Sequence, residues 1–160
     1  MALDVLAKGG LARLNLNNLI KVSPVTKGSL YWHFKSQADF HNALIDYWHE
    51  MYALTIARAT DEFTGDATAK LYFLAHYIVA ESHARYDNIM TLLAIKNYKL
   101  MPNVNASFEF RQDYIHKQFS AMRYKGEEFR CRSTLFVSFL IGEPLINAGM
   151  SIVLPASFMV

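Results

Sequence analysis

Apolar residues recur along the chain at helical spacing, and period-two alternation bounded by turn residues is scarce. Leu16, Leu19 and Ile20 stand at i, i+3 and i+4, with Asn15 placed to cap the helix they mark. Pro24 predicts that this helix ends by about Val22, because proline disfavours helical geometry in the residue before it. Upstream, residues 2–8 read as the end of a helix closed by Gly9 and Gly10. Thr26 can cap a second short helix that runs to about Phe34. Laid on a helix, Leu30 and Phe34 share one stripe, and Gly28, Ser29 and Trp32 fall on the opposite one.

Ser36 or Asp39 can start a long helix reaching roughly Phe63, with Phe40, Leu44, Tyr47, Trp48, Met51 and Leu54 inside it. Thr64, Gly65 and Asp66 break the pattern, and residues 67–96 are again helical. Pro102 with Asn103 and Asn105 marks a loop. A helix over 107–124 closes near Gly126, and a last one over 128–141 is stopped by Gly142 and Pro144, followed by a shorter piece over 145–153. No internal repeat or low-complexity tract is present. The expected fold is all-α: an N-terminal three-helix helix-turn-helix module over 1–38, then a larger helical bundle over 39–160.

Composition supports a globular chain, since 52% of the 160 residues are hydrophobic. The net charge of +2 says little as a total. Its distribution says more: from Val5 to Ala38 there are Lys8, Arg13, Lys21, Lys27 and Lys35 and no acidic residue. A local basic excess suits a polyanion, although solvated lysines on short amphipathic helices give the same count. The single Cys131 excludes an intrachain disulfide framework and favours the cytoplasm. The N-terminal stretch lacks the pattern of a signal peptide. Residues 133–160 carry only Glu143 as a charge, but Gly142, Pro144, Gly149 and Pro155 interrupt them before a span of about 20 apolar residues can form. That region reads as buried in protein, against another subunit, and no membrane partner is expected.

The stretch LARLNLNNLIKVSPVTKGSLYWHFKSQADF, residues 11–40, resembles the tetracycline-repressor (TetR) type of bacterial transcriptional regulators, most specifically over V-T-K-G-S-L-Y-W-H-F-K-S. The resemblance covers about the first 50 residues. It implies that the helix from Thr26 to Phe34 is a recognition helix, with Thr26, Lys27, Gly28, Ser29, Tyr31, Trp32 and His33 facing or flanking DNA. Lys35 would lie near a phosphate, as would Asn15 and Asn17 at the start of the preceding helix. Leu19, Ile20, Leu30 and Phe34 would hold the module together. The residues themselves agree. Glycine inside a helix costs about 1 kcal/mol relative to alanine, so Gly28 is better explained by a close approach to its backbone. Thr26 and Ser29 can donate to phosphate or base edges, Lys27 can neutralise phosphate, and Trp32 can pack on sugar or a thymine methyl.

Three positions depart from the family. Pro24 stands where glycine is usual in the turn, and its fixed negative φ forbids the left-handed geometry glycine supplies. Gln37 stands where a lysine is common, removing one expected phosphate contact. The first helix is short, with about seven residues before Gly9. The resulting expectation is a ligand-responsive repressor that acts as a homodimer on a palindromic double-stranded DNA operator, its two recognition helices about 34 Å apart. The alternative is a helical ligand-binding or protein-interaction bundle with a degenerate helix-turn-helix.

In the bundle, Trp48, Tyr52, Tyr72, His76, Tyr77 and Met90 are the candidates for touching a small apolar effector, since such pockets combine apolar walls with a few polar groups. Aromatics at helical spacing are core residues by default. His41 and His49 lie eight apart, and His76 and His83 seven apart. Metal sites ask for closer spacing and further ligands, so neither a metal nor another cofactor is expected. Arg130 and Arg132 flank Cys131, which could favour a thiolate, but helical neighbours point apart and a lone cysteine reads as a small core residue. No nucleophile elbow, phosphate loop or suggestive carboxylate pair is present, so no enzyme is expected.

Overall fold

Helix caps and apolar stripes place the elements largely where the pattern puts them. A computed structural model of the chain describes residues 15–22, 24, 26–80 and 84–146. Helix α1 is Leu16–Val22, α2 is Lys27–His33 and α3 is Gln37–His49. A π-helical turn, Glu50–Leu54, carries α3 into α4, Thr55–Glu62. After the Thr64 to Asp66 break come α5, Ala67–Ala80, and α6, Ala84–Lys96. A short 3₁₀ turn, Tyr98–Leu100, leads into α7, Met101–Ala121, and α8 is Gly126–Ile146. The protein is all-α, with no strand among the described residues.

Two expectations about boundaries are corrected. Pro102 does not mark a loop but lies in the first turn of α7, where its missing N–H has no intrahelical acceptor to serve and its fixed φ suits the helix. Gly142 and Pro144 do not stop the last helix, which continues to Ile146. A glycine inside a helix is tolerated at about 1 kcal/mol, and Pro144 forgoes one backbone bond only two residues before the helix ends. The helix expected over 2–8, the residues flanking Pro24 in the turn, and everything beyond Ile146 lie outside the described residues.

The chain divides into two compact units. One takes the described residues up to Glu50 together with Tyr86–Ala106. Its buried residues include Leu16, Leu19, Leu30, Phe40, Leu44, Ile45, Trp48, Tyr86, Met90, Leu93 and Val104. The expected helix-turn-helix lies inside this unit. Trp48 is wholly buried, and its indole N–H donates to Asp87 Oδ1 at 2.9 Å, so burial does not leave the donor unmatched.

The other unit takes the described residues of Met51–Arg85 and those from Ser107 onward. Within it α5 packs on α4 and on α8. Ile56, Leu71, Leu74, Ala75, Ile115, Phe119 and Leu140 form its core. Tyr114 links α7 to α4: its hydroxyl reaches Asp61 Oδ1 at 2.8 Å and the Ala57 carbonyl at 3.2 Å. Burial, and then the Asp61 carboxylate, raise the phenol above its ordinary value of 10.0.

Candidate nucleic-acid interface

Helices of seven residues do not persist alone in water, so α1 and α2 depend on caps and on burial. Asn15 Oδ1 accepts the Asn18 N–H at 2.8 Å. The Leu16 N–H is taken by Gln37 Oε1, from α3, at 3.1 Å. Thr26 Oγ1 accepts the Ser29 N–H at 3.2 Å and thereby caps α2. Ser36 Oγ accepts the Asp39 N–H, and the Asp39 carboxylate accepts the Lys35 N–H, each at 3.0 Å. This reciprocal cap fixes the step from α2 to α3, with Ser36 as the N-cap. Leu16, Leu19 and Leu30 are buried, Ile20 and Phe34 half-buried, and Phe34 meets Phe40 edge-on with centroids 5.3 Å apart.

With Leu30 turned inward, the other side of α2 faces outward. Thr26, Lys27, Gly28, Ser29, Tyr31, Trp32, His33 and Lys35 are all exposed. Trp32 is 78% exposed, which leaves most of a large apolar ring in water. A Cβ added at Gly28 would meet nothing within 4 Å among the described residues. Crowding there therefore does not account for the glycine. The Tyr31 hydroxyl reaches Asn17 Oδ1 at 3.4 Å, and Lys27 Nζ stands 6.0 Å from the Tyr31 ring centre. His33 lies edge-on to Trp32 at 4.8 Å.

Charge follows the same geometry. Between residues 15 and 38 the described charged side chains are Lys21, Lys27 and Lys35, all exposed, and Asp39 is the first acid. Lys8 and Arg13 lie outside the described residues. Asn17 is exposed, and Asn15 is half-buried and engaged as a cap. Thr26 accepts from Ser29 and keeps its own proton to give, as does Ser29, so the surface offers hydroxyl donors, cations and a flat ring beside bare backbone. Such a surface can engage phosphate oxygens and base edges together.

Over 54 residues the chain is similar to known transcriptional regulators. The HTH-type transcriptional regulator TtgR of Pseudomonas putida is 39% identical over that stretch, which covers 34% of this chain and 25% of the relative. The probable HTH-type transcriptional regulator ArpR, also of Pseudomonas putida, gives the same identity and the same shares. The chain thus spans about a quarter of the length of these curated relatives. No family model and no solved structure matches it. The similarity is to HTH-type transcriptional regulators and covers this stretch alone.

The six effector candidates are divided between the two units. Trp48 and Met90 are wholly buried in the first unit. Tyr52 and Tyr77 pack, half-buried, against the core of the second. Tyr72 and His76, also in the second unit, are exposed, and their rings stack nearly parallel with centroids 6.5 Å apart. Cys131 is exposed, which corrects its reading as a small core residue: the side of α8 that packs inward carries Phe129, Ser133, Phe136, Val137 and Leu140 instead. Its neighbour Arg132 is held by Glu128 at 3.1 Å and lies 4.5 Å from the Tyr124 ring centre. His41 contacts Gln37, and His83 lies outside the described residues. Among those residues no group of three metal-ligating side chains occurs, and no helix is long and apolar enough to cross a membrane.

Sequence reasoning missed two polar partners. Gln37 figured there as a lost phosphate contact and not as a cap for α1. Asp87, which no motif marks, holds the Trp48 indole. Both contacts join residues 21 or more positions apart, and no local pattern marks them.

Proposed function

We propose that the chain is a DNA-binding transcriptional regulator whose α2 is the recognition helix, acting as a homodimeric, ligand-responsive repressor on a palindromic operator. The observation that carries this reading is the outer face of α2, where bare backbone at Gly28 adjoins the exposed Trp32, Lys27 and Ser29. The HTH-type regulators that the chain resembles support it. Residues 1–38 supply the reading module, and residues 39–160 supply effector binding and dimerisation. The two copies meet through the last helices. Between Cys131 and Ile141 the exposed residues of α8 are Cys131, Thr134, Leu135, Ser138 and Ile141, a surface without charge that favours a protein partner over water.

A small apolar effector among the aromatic residues of the helical bundle acts by binding one spacing of the two reading heads more tightly than the other. Selection of duplexes from a random library by the purified chain tests the reading. The expected product is an inverted repeat with half-sites one helical turn apart, about 10 base pairs centre to centre. Recovery of no enriched sequence would count against it.

A further inference from the structure

Gln37 opens α3, 21 positions from its partner Leu16. The Leu16 backbone N–H can only donate, so the carboxamide must turn its oxygen toward it, at 3.1 Å. That orientation sends Nε2 to the other side, where it lies 2.7 Å from His41 Nε2, one turn further along α3. Two donors do not bond each other, so His41 presents a lone pair at Nε2 and carries its ring proton on Nδ1. The amide orientation set by Leu16 thereby selects the tautomer of the imidazole. Gln37 and His41 are both half-buried, and the Leu16 side chain is buried.

The Leu16 N–H belongs to the first residue of a seven-residue helix, where an α-helix supplies no acceptor of its own. Asn15 serves the Asn18 N–H and Gln37 serves Leu16, so one of the two caps is local and the other comes from α3. A lysine in place of Gln37 would carry three donors and no acceptor. It cannot make this bond.

We propose that Gln37 is a positioning residue of the reading head. Its carboxamide clamps the first N–H of α1 to α3 and so sets how the α1–α2 pair sits. The inference rests on the DNA-reading function proposed above. Loss of the clamp lets α1 fray and α2 shift with it, because the two short helices pack on each other. Binding to a particular sequence then suffers more than binding to DNA in general, since base contacts need placement and phosphate attraction does not.

The test uses the full chain and Q37K, Q37L and Q37E, the last of which keeps an acceptor oxygen. Amide hydrogen exchange reads the clamp, and affinity for a duplex selected by the wild-type chain and for a scrambled duplex, over a salt series, reads its consequence. The Leu16 N–H is expected to exchange at least about tenfold faster in Q37K and Q37L and to stay protected in Q37E. In Q37K the salt slope is expected to steepen by about one and scrambled DNA to bind more tightly, while the preference for the selected duplex falls about tenfold. Unchanged exchange at Leu16 in Q37K and Q37L would overturn the clamp. So would Q37K gaining equally on both duplexes, the result expected of a simple phosphate contact. If the wild-type chain selects no duplex, the DNA-reading proposal falls by itself, and exchange at Leu16 still decides for or against the clamp.

Discussion

Lys27 begins α2 with its ammonium in solvent, near the Tyr31 ring and with no acidic side chain between residues 15 and 38. A cation so placed attracts any phosphate backbone but distinguishes no base. K27A is therefore expected to weaken binding to selected and scrambled duplexes alike and to flatten the salt dependence by about one unit of slope; titration at several salt concentrations checks it. At this scale the outer face of α2 was legible in the sequence. The 3.6-residue period places Leu30 on one side and Gly28, Ser29 and Trp32 on the other, and the structure buries and exposes them accordingly. The partners of Gln37 and Trp48 were not legible, because a hydrogen bond between distant positions leaves no trace in local spacing.

Among the elements, short helices are fixed by their ends and long ones by their packing. Asn15, Thr26 and Ser36 are capping residues whose effect is local, so the starts of α1, α2 and α3 could be read from sequence. The extent of α8 could not. Gly142 and Pro144 argue for a stop, yet the helix runs on to Ile146, because local propensity is a weak prior on where a helix ends. The link from α7 to α4 through Tyr114 has the same character. Y114F is expected to lower unfolding stability by roughly 0.5–1.5 kcal/mol in a denaturant titration, the usual worth of one such hydrogen bond. The folded phenol is raised above its ordinary value of 10.0, so its contribution is present in full below that pH and is lost as pH rises through the folded value. The difference between wild type and Y114F should shrink in strongly alkaline solution.

For the whole molecule, the account requires two copies. Leu135 is 64% exposed and Ile141 44% exposed on an uncharged side of α8, which is costly to leave in water along a helix of 21 residues. Sedimentation at micromolar concentration is expected to show a dimer, and replacing Leu135 by aspartate is expected to yield monomers that keep their helical content. A wild-type monomer at that concentration would remove the proposed twofold arrangement. The all-α class was legible from periodicity throughout, whereas the division into two compact units was not. The first unit combines residues up to Glu50 with Tyr86–Ala106, and no shift in composition announces that pairing.

The central claim is that the surface around Gly28 is shaped for a duplex pressed against it, and G28L tests it most directly. Leucine is the better helix former by somewhat under 1 kcal/mol, and the position is open, so thermal unfolding of the free protein should occur at the same temperature or higher. Affinity for the selected duplex should fall at least about thirtyfold, because the new side chain occupies the space where groove atoms approach. A G28L protein that folds as well as the wild type and binds that duplex equally tightly would contradict the account.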